Sequence, residues 1–151
     1  MKFHLIAQGK MKSGPTQELF KTYSQRLRPA LQLHEIQAEH ADLKKRQTLE
    51  TDKIIAAVES FEYVIALDER GKLMSSPQFA NLLAQWRDQG QRDVSFIIGG
   101  ADGLDPDLRS KASASLSFGK MVWPHMMARL MLSEQLYRSA SILAGSPYLR
   151  V

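Results

Sequence analysis

Apolar positions along the chain follow two periods, a short one typical of strands and a longer one typical of helices. Short apolar runs predict strands at Lys2–Gln8, Leu31–Ile36, Tyr63–Leu67, Val94–Ile98 and, briefly, near Leu116. Segments with helical spacing lie between them: Pro15 to about Arg28, Asp42–Glu59, Ser76 to about Gly90, a short one after Pro106, and Pro124 to about Leu143. The polar segment Asp68–Gly71 is predicted to be the exit loop of the third strand. Strands that alternate with helices predict an α/β fold with a mostly parallel sheet, in one domain over residues 1–151.

The last predicted helix is apolar around most of its circumference. Apolar side chains fill both 126–128 and 130–132, whereas a surface helix normally has one apolar stripe and a polar back. The pattern predicts either deep burial or a subunit interface, and in so small a chain we favour the interface. Glu134 and Arg138 have the spacing of an ion pair between successive helical turns.

Composition narrows the class of protein. The chain is 44% hydrophobic and 24% charged, which is ordinary for a soluble globular protein. No apolar run approaches the roughly 18 residues that span a bilayer, so no membrane segment is expected. The absence of cysteine excludes disulfides and thiolate metal sites and fits a reducing cytoplasm. No cluster of His, Asp and Glu has metal-ligand spacing, so no metal is expected.

The net charge of +4 is unevenly distributed along the chain. From Arg109 to the C-terminus there are six Lys and Arg side chains and one acidic side chain, Glu134, whereas residues 1–108 carry 14 basic and 15 acidic side chains. A segregated basic segment favours a polyanionic partner such as nucleic acid. A solvated basic face is an equally good interpretation of the charge alone.

Residues 94–104 read V-S-F-I-I-G-G-A-D-G-L, a buried strand that ends in glycines. Ligands of open α/β sheets bind outside the carboxyl ends of strands, and Gly99 and Gly100 let the backbone approach a ligand closely. The loop matches neither G-x-G-x-x-G nor the phosphate-binding G-x-x-x-x-G-K-[ST] pattern, which argues against a nucleotide phosphate site. Taken alone, the glycines predict either a small-molecule site or simple turn chemistry.

Two further positions allow a functional and a structural interpretation. His125 directly follows Pro124 at the start of the last helix, where it either hydrogen bonds to the helix terminus or takes part in a site. In the C-terminal tail, Tyr148 and Arg150 either contribute to a site or simply pack and balance the terminal carboxylate.

Several ordered motifs resemble the SPOUT-class ribosomal RNA large-subunit methyltransferases that modify pseudouridine at N3. They are F-I-I-G-G-A-D-G-L at 96–104, L-S-F-G-K-M-V-W-P-H at 116–125, E-Q-L-Y-R at 134–138 and G-S-P-Y-L-R at 145–150. The resemblance covers the whole chain. It implies a cytoplasmic homodimer with a SPOUT-like fold and a C-terminal trefoil knot.

The same resemblance implies methyl transfer from S-adenosylmethionine to a pseudouridine in a loop of 23S ribosomal RNA, within the large subunit or the whole ribosome. Loops expose the base edges that a paired stem hides. The residues that the resemblance assigns to the donor site are Leu67, Gly99, Gly100, Gly119, Lys120, Met121, Val122, Trp123 and Pro124.

The resemblance also implies roles on the acceptor side. Arg138 and His125 would stabilise the negative charge that develops when N3 loses its proton, and Tyr148 would orient the base or stack on it. Arg129 and Arg150 would hold RNA phosphates. The tail of one subunit is expected to face the donor pocket of the other.

Two positions depart from the pattern of the family. Leu149 stands where the tail usually has histidine, and Val122 stands where the donor loop usually has threonine. The change at Val122 is the milder one, because backbone atoms can still contact the donor. The change at Leu149 supports an alternative function, a catalytically weakened homologue that binds the ribosome or RNA.

Overall fold

The computed structural model describes residues 1–99 and 103–149. Of Leu149 it describes only the backbone. In those ranges the strands are β1 (Lys2–Gln8), β2 (Gln32–Ile36), β3 (Tyr63–Leu73), β4 (Asp93–Ile98) and β5 (Ala114–Ser117). The helices are α1 (Pro15–Arg26), α2 (Leu43–Val58), α3 (Ser76–Asp88), α4 (Pro106–Lys111) and α5 (His125–Leu143), followed by a 3-10 turn at Pro147–Leu149. No described helix is long and apolar enough to cross a membrane.

The five strands form one parallel sheet in the order β2-β1-β4-β3-β5, which confirms the predicted fold class. β4 lies in the middle and pairs with β1 and β3. Ile98, near the end of β4, is paired with Ala7 on one side and with Leu67 on the other. The carboxyl ends of the central strands therefore meet at the same edge of the sheet.

Side chains of the central strands alternate between two apolar layers. Leu5 and Phe96 point into the layer covered by α1, α3 and α5. Ile6 and Ile97, the next residues along, belong to the layer covered by α2 and α4. Because helices cover both faces, these strands are buried on both sides and mostly apolar, as is typical of parallel sheets. The polar residues His4 and Ser95 within them are buried as well.

β3 is longer than the sequence predicts. The segment Asp68–Gly71 was expected to be an exit loop, but it belongs to the strand, which continues to Leu73. Leu116 of β5 is paired with both Leu67 and Lys72, so β3 contains an irregularity between these two residues. A Cβ on Gly71 would lie 2.6 Å from the carbonyl carbon of Leu116. The absence of a side chain therefore lets β5 approach this polar segment closely enough to pair with it.

α5 packs across α1 and α3 on one face of the sheet. Leu132 and Leu136 are fully buried there, whereas Met127 and Leu143 are exposed. The predicted ion pair on this helix is confirmed, with 2.7 Å between Arg138 and Glu134. Part of the apolar circumference is therefore explained within one chain, and the subunit interface stays a prediction.

Arg129, also on α5, has no exposed surface. Its guanidinium donates hydrogen bonds to the Glu35 carboxylate at 3.2 Å, to the Gly9 carbonyl at 2.9 Å and to the Gln8 carbonyl. Glu35 also accepts a hydrogen bond of 2.7 Å from the backbone N–H of Met11. The prediction that Arg129 holds RNA phosphates is wrong, because its charge is enclosed and already paired. It fastens α5 to the ends of β1 and β2.

Replacing Arg129 with methionine removes the buried charge and leaves Glu35 and two carbonyl groups without their partner. We expect the free energy of unfolding to fall by about 3 kcal/mol or more. Arg87→Met is the control, because Arg87 pairs with Asp88 at the surface, where loss of an ion pair costs about 1 kcal/mol or less. Urea denaturation measures both changes, and equal losses would contradict the structural role of Arg129.

Candidate functional site

A cavity of about 600 Å³ lies at the carboxyl edge of the sheet. Residues 67–70 of β3 and the end of β4 form one side, and the segment between β5 and α5 forms the other. Seven residues that were assigned to the donor site line this cavity: Leu67, Gly99, Gly119, Met121, Val122, Trp123 and Pro124. Lys120 is exposed and does not line it, and Gly100 lies outside the described residues. Their roles as donor-binding residues stay predictions.

Gly99, which follows β4 directly, lies against the backbone of Gly103. An added Cβ would lie 2.3 Å from the carbonyl oxygen of Gly103, a distance that no side chain tolerates. The backbone alone therefore requires glycine at this position. Gly99 also lines the cavity, and its part in a small-molecule site stays a prediction.

The segment between β5 and α5 is fixed at its first turn and open beyond it. The buried Ser117 hydroxyl lies 2.9 Å from the Gly119 carbonyl oxygen and 3.1 Å from that of Glu69 in β3. Gly119 has a φ of +120°, which favours glycine. Further along, the side chains of Met121 and Val122 are 74% and 80% exposed. This segment therefore presents apolar side chains that no described residue covers.

The cavity is also lined by two carboxylates, Asp68 and Glu69. Their sequence alone predicts a loop and no functional role. Asp68 accepts hydrogen bonds from the backbone N–H and the Nε of Arg70, at 2.9 Å and 3.1 Å. Burial works to raise the pKa of Asp68, but the hydrogen bonds from Arg70 and the positive charges of Arg70 and Arg109 outweigh it and lower the pKa. Arg70 lines the cavity as well, so its wall holds two carboxylates and one guanidinium and is negative only by the difference of one charge. The position of the two carboxylates directly after the apolar part of β3 is a signal that could have revealed them.

His125, the first residue of α5, lines the same cavity and is half-buried. Its Nδ1 is buried and has no hydrogen-bond partner among the described residues, so this atom does not cap the helix. Burial and, second, the positive charge of Arg129 lower the pKa of His125. The imidazole is therefore neutral at pH 7, and it is not the cation that the sequence analysis assigned to this position.

Arg138 and Tyr148 lie together, but at the other end of α5. The Arg138 guanidinium is 5.2 Å from the centre of the Tyr148 ring. His125 and Arg138 are thirteen residues apart on the helix, which corresponds to about 20 Å. The structure therefore brings two of the three predicted acceptor-side residues together and separates them from His125. Arg150 lies outside the described residues, as does the side chain of Leu149.

A second cavity, of about 530 Å³, lies between α1, α3 and α5. Phe118 and Gly119 line both cavities, so the two are neighbours. Tyr23, Glu134 and Gln135 line the second one. Among residues 1–99 and 103–149, no three His, Asp or Glu side chains are placed to hold a metal ion.

A family model described as a predicted SPOUT methyltransferase matches residues 1–148. The chain belongs to the SPOUT methyltransferase family. Among curated relatives, proteins named "Ribosomal RNA large subunit methyltransferase H" from Ruegeria sp. (strain TM1040) and Dinoroseobacter shibae are 50% and 51% identical, and each alignment covers 100% of both chains. The resemblance inferred from the motifs is thereby confirmed.

Solved structures support the SPOUT fold at low sequence identity. A probable methylase family protein from Haemophilus influenzae Rd KW20 matches with a TM-score of 0.65 and 13% identity, over 95% of this chain and 68% of that one. A probable methyltransferase from Bordetella pertussis Tohama I matches with a TM-score of 0.59 and 10% identity, over 91% and 95% of the chains. These SPOUT-like neighbours show the arrangement of strands and helices, not the substrate.

The variant Gly99→Ala tests the turn at the end of β4. Its methyl group would collide with the Gly103 carbonyl, so the turn must shift and deform the cavity. We expect at least a tenfold loss of affinity for S-adenosylmethionine, measured by calorimetry, which is about 1.4 kcal/mol. Gly14→Ala is the control, because a side chain also strains Gly14, whose φ is +148°, but Gly14 precedes α1 and does not line this cavity. Equal affinity in both variants would exclude this cavity as the donor site.

Proposed function

We propose that this chain transfers the methyl group of S-adenosylmethionine to N3 of a pseudouridine in a loop of 23S ribosomal RNA, in the large subunit or the whole ribosome. One observation carries the proposal. In this SPOUT chain, one cavity at the carboxyl edge of the sheet is lined by three segments that are far apart in sequence. They contribute Leu67, Gly99, and residues 119 and 121–124. The names of relatives about 50% identical supply the substrate class, large-subunit ribosomal RNA.

The cavity suits this donor in size, shape and charge. Its volume of about 600 Å³ is within the range of roughly 300–1,000 Å³ that is usual for ligand sites. Leu67, Ile98 and Trp123 supply apolar surface for an adenine ring. Asp68 and Glu69 supply negative charge near a ligand that carries a sulfonium and an ammonium group. S-adenosylmethionine, when bound, supplies the methyl group on its positively charged sulfur.

The residues of the acceptor side act by position and charge. N3 of the base becomes nucleophilic when its proton leaves to solvent, and a nearby Arg138 stabilises the resulting anion. As the bond from N3 to the methyl carbon forms, the bond from sulfur to that carbon breaks, and S-adenosylhomocysteine is the leaving group. Tyr148 orients the base through its ring or hydroxyl. His125, being neutral, serves as a hydrogen-bonding group beside the donor cavity. Alignment of N3 with the methyl group supplies much of the rate, as effective molarities of roughly 10⁵ M and above in oriented reactions illustrate.

The separation along α5 favours a composite site in a homodimer. In one chain, about 20 Å separates His125 from Arg138. We propose that the tail of one subunit faces the donor cavity of the other, and that the exposed Met127 lies in the interface. The C-terminal trefoil knot and a cytoplasmic location belong to the same proposal. With Arg129 buried, we assign the RNA phosphates to Arg150 and to basic residues that the structure shows exposed, such as Lys120.

Purified protein is expected to label 23S ribosomal RNA when it is incubated with methyl-labelled S-adenosylmethionine and ribosomes that lack the modification. Mass spectrometry of nuclease digests identifies the product as N3-methylpseudouridine, and free 23S RNA in a parallel reaction shows whether the assembled ribosome is needed. Calorimetry with S-adenosylhomocysteine and common nucleotides serves as the binding control. Donor binding without transfer to any ribosomal substrate would refute the enzymatic function.

The alternative is a homologue that binds the ribosome or RNA without efficient chemistry, and Leu149 in place of the usual tail histidine is the observation that favours it. The variant Leu149→His distinguishes the two. If the protein is an active enzyme, the natural chain turns over at a rate within about tenfold of the variant. If it is a weakened homologue, Leu149→His raises the methylation rate from near background by a factor of at least about 100. This factor corresponds to a gain of roughly 2.7 kcal/mol in transition-state stabilisation.

A further inference from the structure

The carboxylate of Glu134 is the centre of a hydrogen-bonded group that joins α5 to the C-terminal tail. Its Oε1 accepts hydrogen bonds from Nε and Nη2 of Arg138, at 2.9 Å and 2.7 Å. The same oxygen accepts a hydrogen bond of 3.1 Å from the hydroxyl of Tyr148. One carboxylate oxygen therefore holds both side chains to which the proposed function assigns the acceptor base.

The second oxygen of Glu134 is fixed from another direction. Its Oε2 accepts a hydrogen bond of 2.8 Å from Nε2 of Gln135. The amide oxygen of Gln135 in turn accepts a hydrogen bond of 2.7 Å from the hydroxyl of Ser76, the first residue of α3. The orientation of the carboxylate is therefore determined by a neighbouring helix as well as by its own.

The Tyr148 ring is enclosed as well as hydrogen bonded. It lies edge-on to Tyr137, with 4.8 Å between the ring centres, and its hydroxyl is 3.5 Å from that of Tyr23 in α1. Burial, the hydrogen bond with Tyr23 and the negative charge of Glu134 raise the pKa of Tyr148. The phenol is therefore neutral in the physiological range and serves as the donor to Glu134.

We infer that Glu134 is a positioning residue that holds Tyr148 and Arg138 in the geometry needed for the acceptor base. The inference rests on the proposed function, and it concerns a residue outside the donor cavity, which Glu134 does not line. Glu134 is nine residues from His125 on α5, or about 13 Å along the helix. Its loss therefore affects the chemical step and leaves donor binding largely intact.

The variant Glu134→Gln keeps the shape of the side chain and removes its charge. We expect kcat to fall at least tenfold and up to about 100-fold, the loss that a displacement of about 1 Å can cause. The KM for S-adenosylmethionine is expected to stay within about twofold. The matched control is Glu59→Gln, an exposed residue at the end of α2 on the opposite face of the sheet. Unchanged kcat in folded Glu134→Gln protein would overturn the inference.

A double-mutant cycle separates positioning from a general structural effect. In a Tyr148→Phe background, Glu134→Gln is expected to lower kcat by less than a third of the factor that it causes alone, because part of its target is already gone. An equal factor in both backgrounds would overturn the inference. If Glu134→Gln does not fold, Gln135→Met, which removes the contact to Oε2 and its link to Ser76 but leaves both contacts to Oε1, is expected to lower kcat about threefold through the same displacement. Unchanged kcat in that variant would count equally against it.

A measurement without RNA keeps the inference independent of the methyltransferase assay. The phenol carbon of Tyr148, labelled with ¹³C and assigned by its absence in Tyr148→Phe, reports ionisation by NMR. We expect Tyr148 to ionise above the usual range of tyrosine in the natural protein, and at lower pH in Glu134→Gln, because removal of a nearby negative charge favours phenolate. Identical titrations would overturn the inference. If the natural protein transfers no methyl group, the proposed function fails, and this titration still decides whether Glu134 holds Tyr148.

Discussion

Parallel pairing of β4 with both β1 and β3 is the constraint on which the rest of the structure depends. It places Ala7, Ile98 and Leu67 in one row, where β4 ends and its pairing with β3 stops. Helices cover both faces of the sheet and bury its central residues, so this edge is the place where polar backbone and side chains can meet a ligand. The close approach of Gly99 to Gly103 and the fixed carboxylate of Asp68 both lie at this edge.

α5 connects two chemically different ends of the molecule. At its start, His125 borders a cavity with an acidic wall, and Arg129 fastens the helix to β1 and β2 from inside the protein. In its second half, Glu134 accepts hydrogen bonds from Arg138 and Tyr148. This group lies next to Tyr23 of α1 and is linked to α3 through Gln135. A rigid helix keeps these ends about 20 Å apart. This distance is the physical basis for the proposal that two copies of the chain form the site.

Much of the fold could be predicted because its signals are local. The continuous apolar run Val94–Ile98 predicts a buried parallel strand, and the proline and polar residues at the helix starts set boundaries to within a few residues. The donor-side cavity could also be anticipated, because ordered motifs identify the family and parallel strands share one edge. Asp68 and Glu69 were missed because their polar sequence is typical of a loop, although they belong to β3.

The sequence by itself determined the order of strands and helices, the family and most of the lining of one cavity. Tertiary structure decided what the charged residues do. In the sequence, Arg129 does not differ from the other basic residues of the C-terminal part. In the structure it is buried and paired with Glu35, which lies 94 residues away along the chain. The spacing of Glu134 and Arg138 predicts only an ion pair within the helix. In the structure, Glu134 also accepts a hydrogen bond from Tyr148 of the tail. Local patterns encode backbone conformation and burial, whereas the partner of a charge depends on which distant segments the sheet brings together.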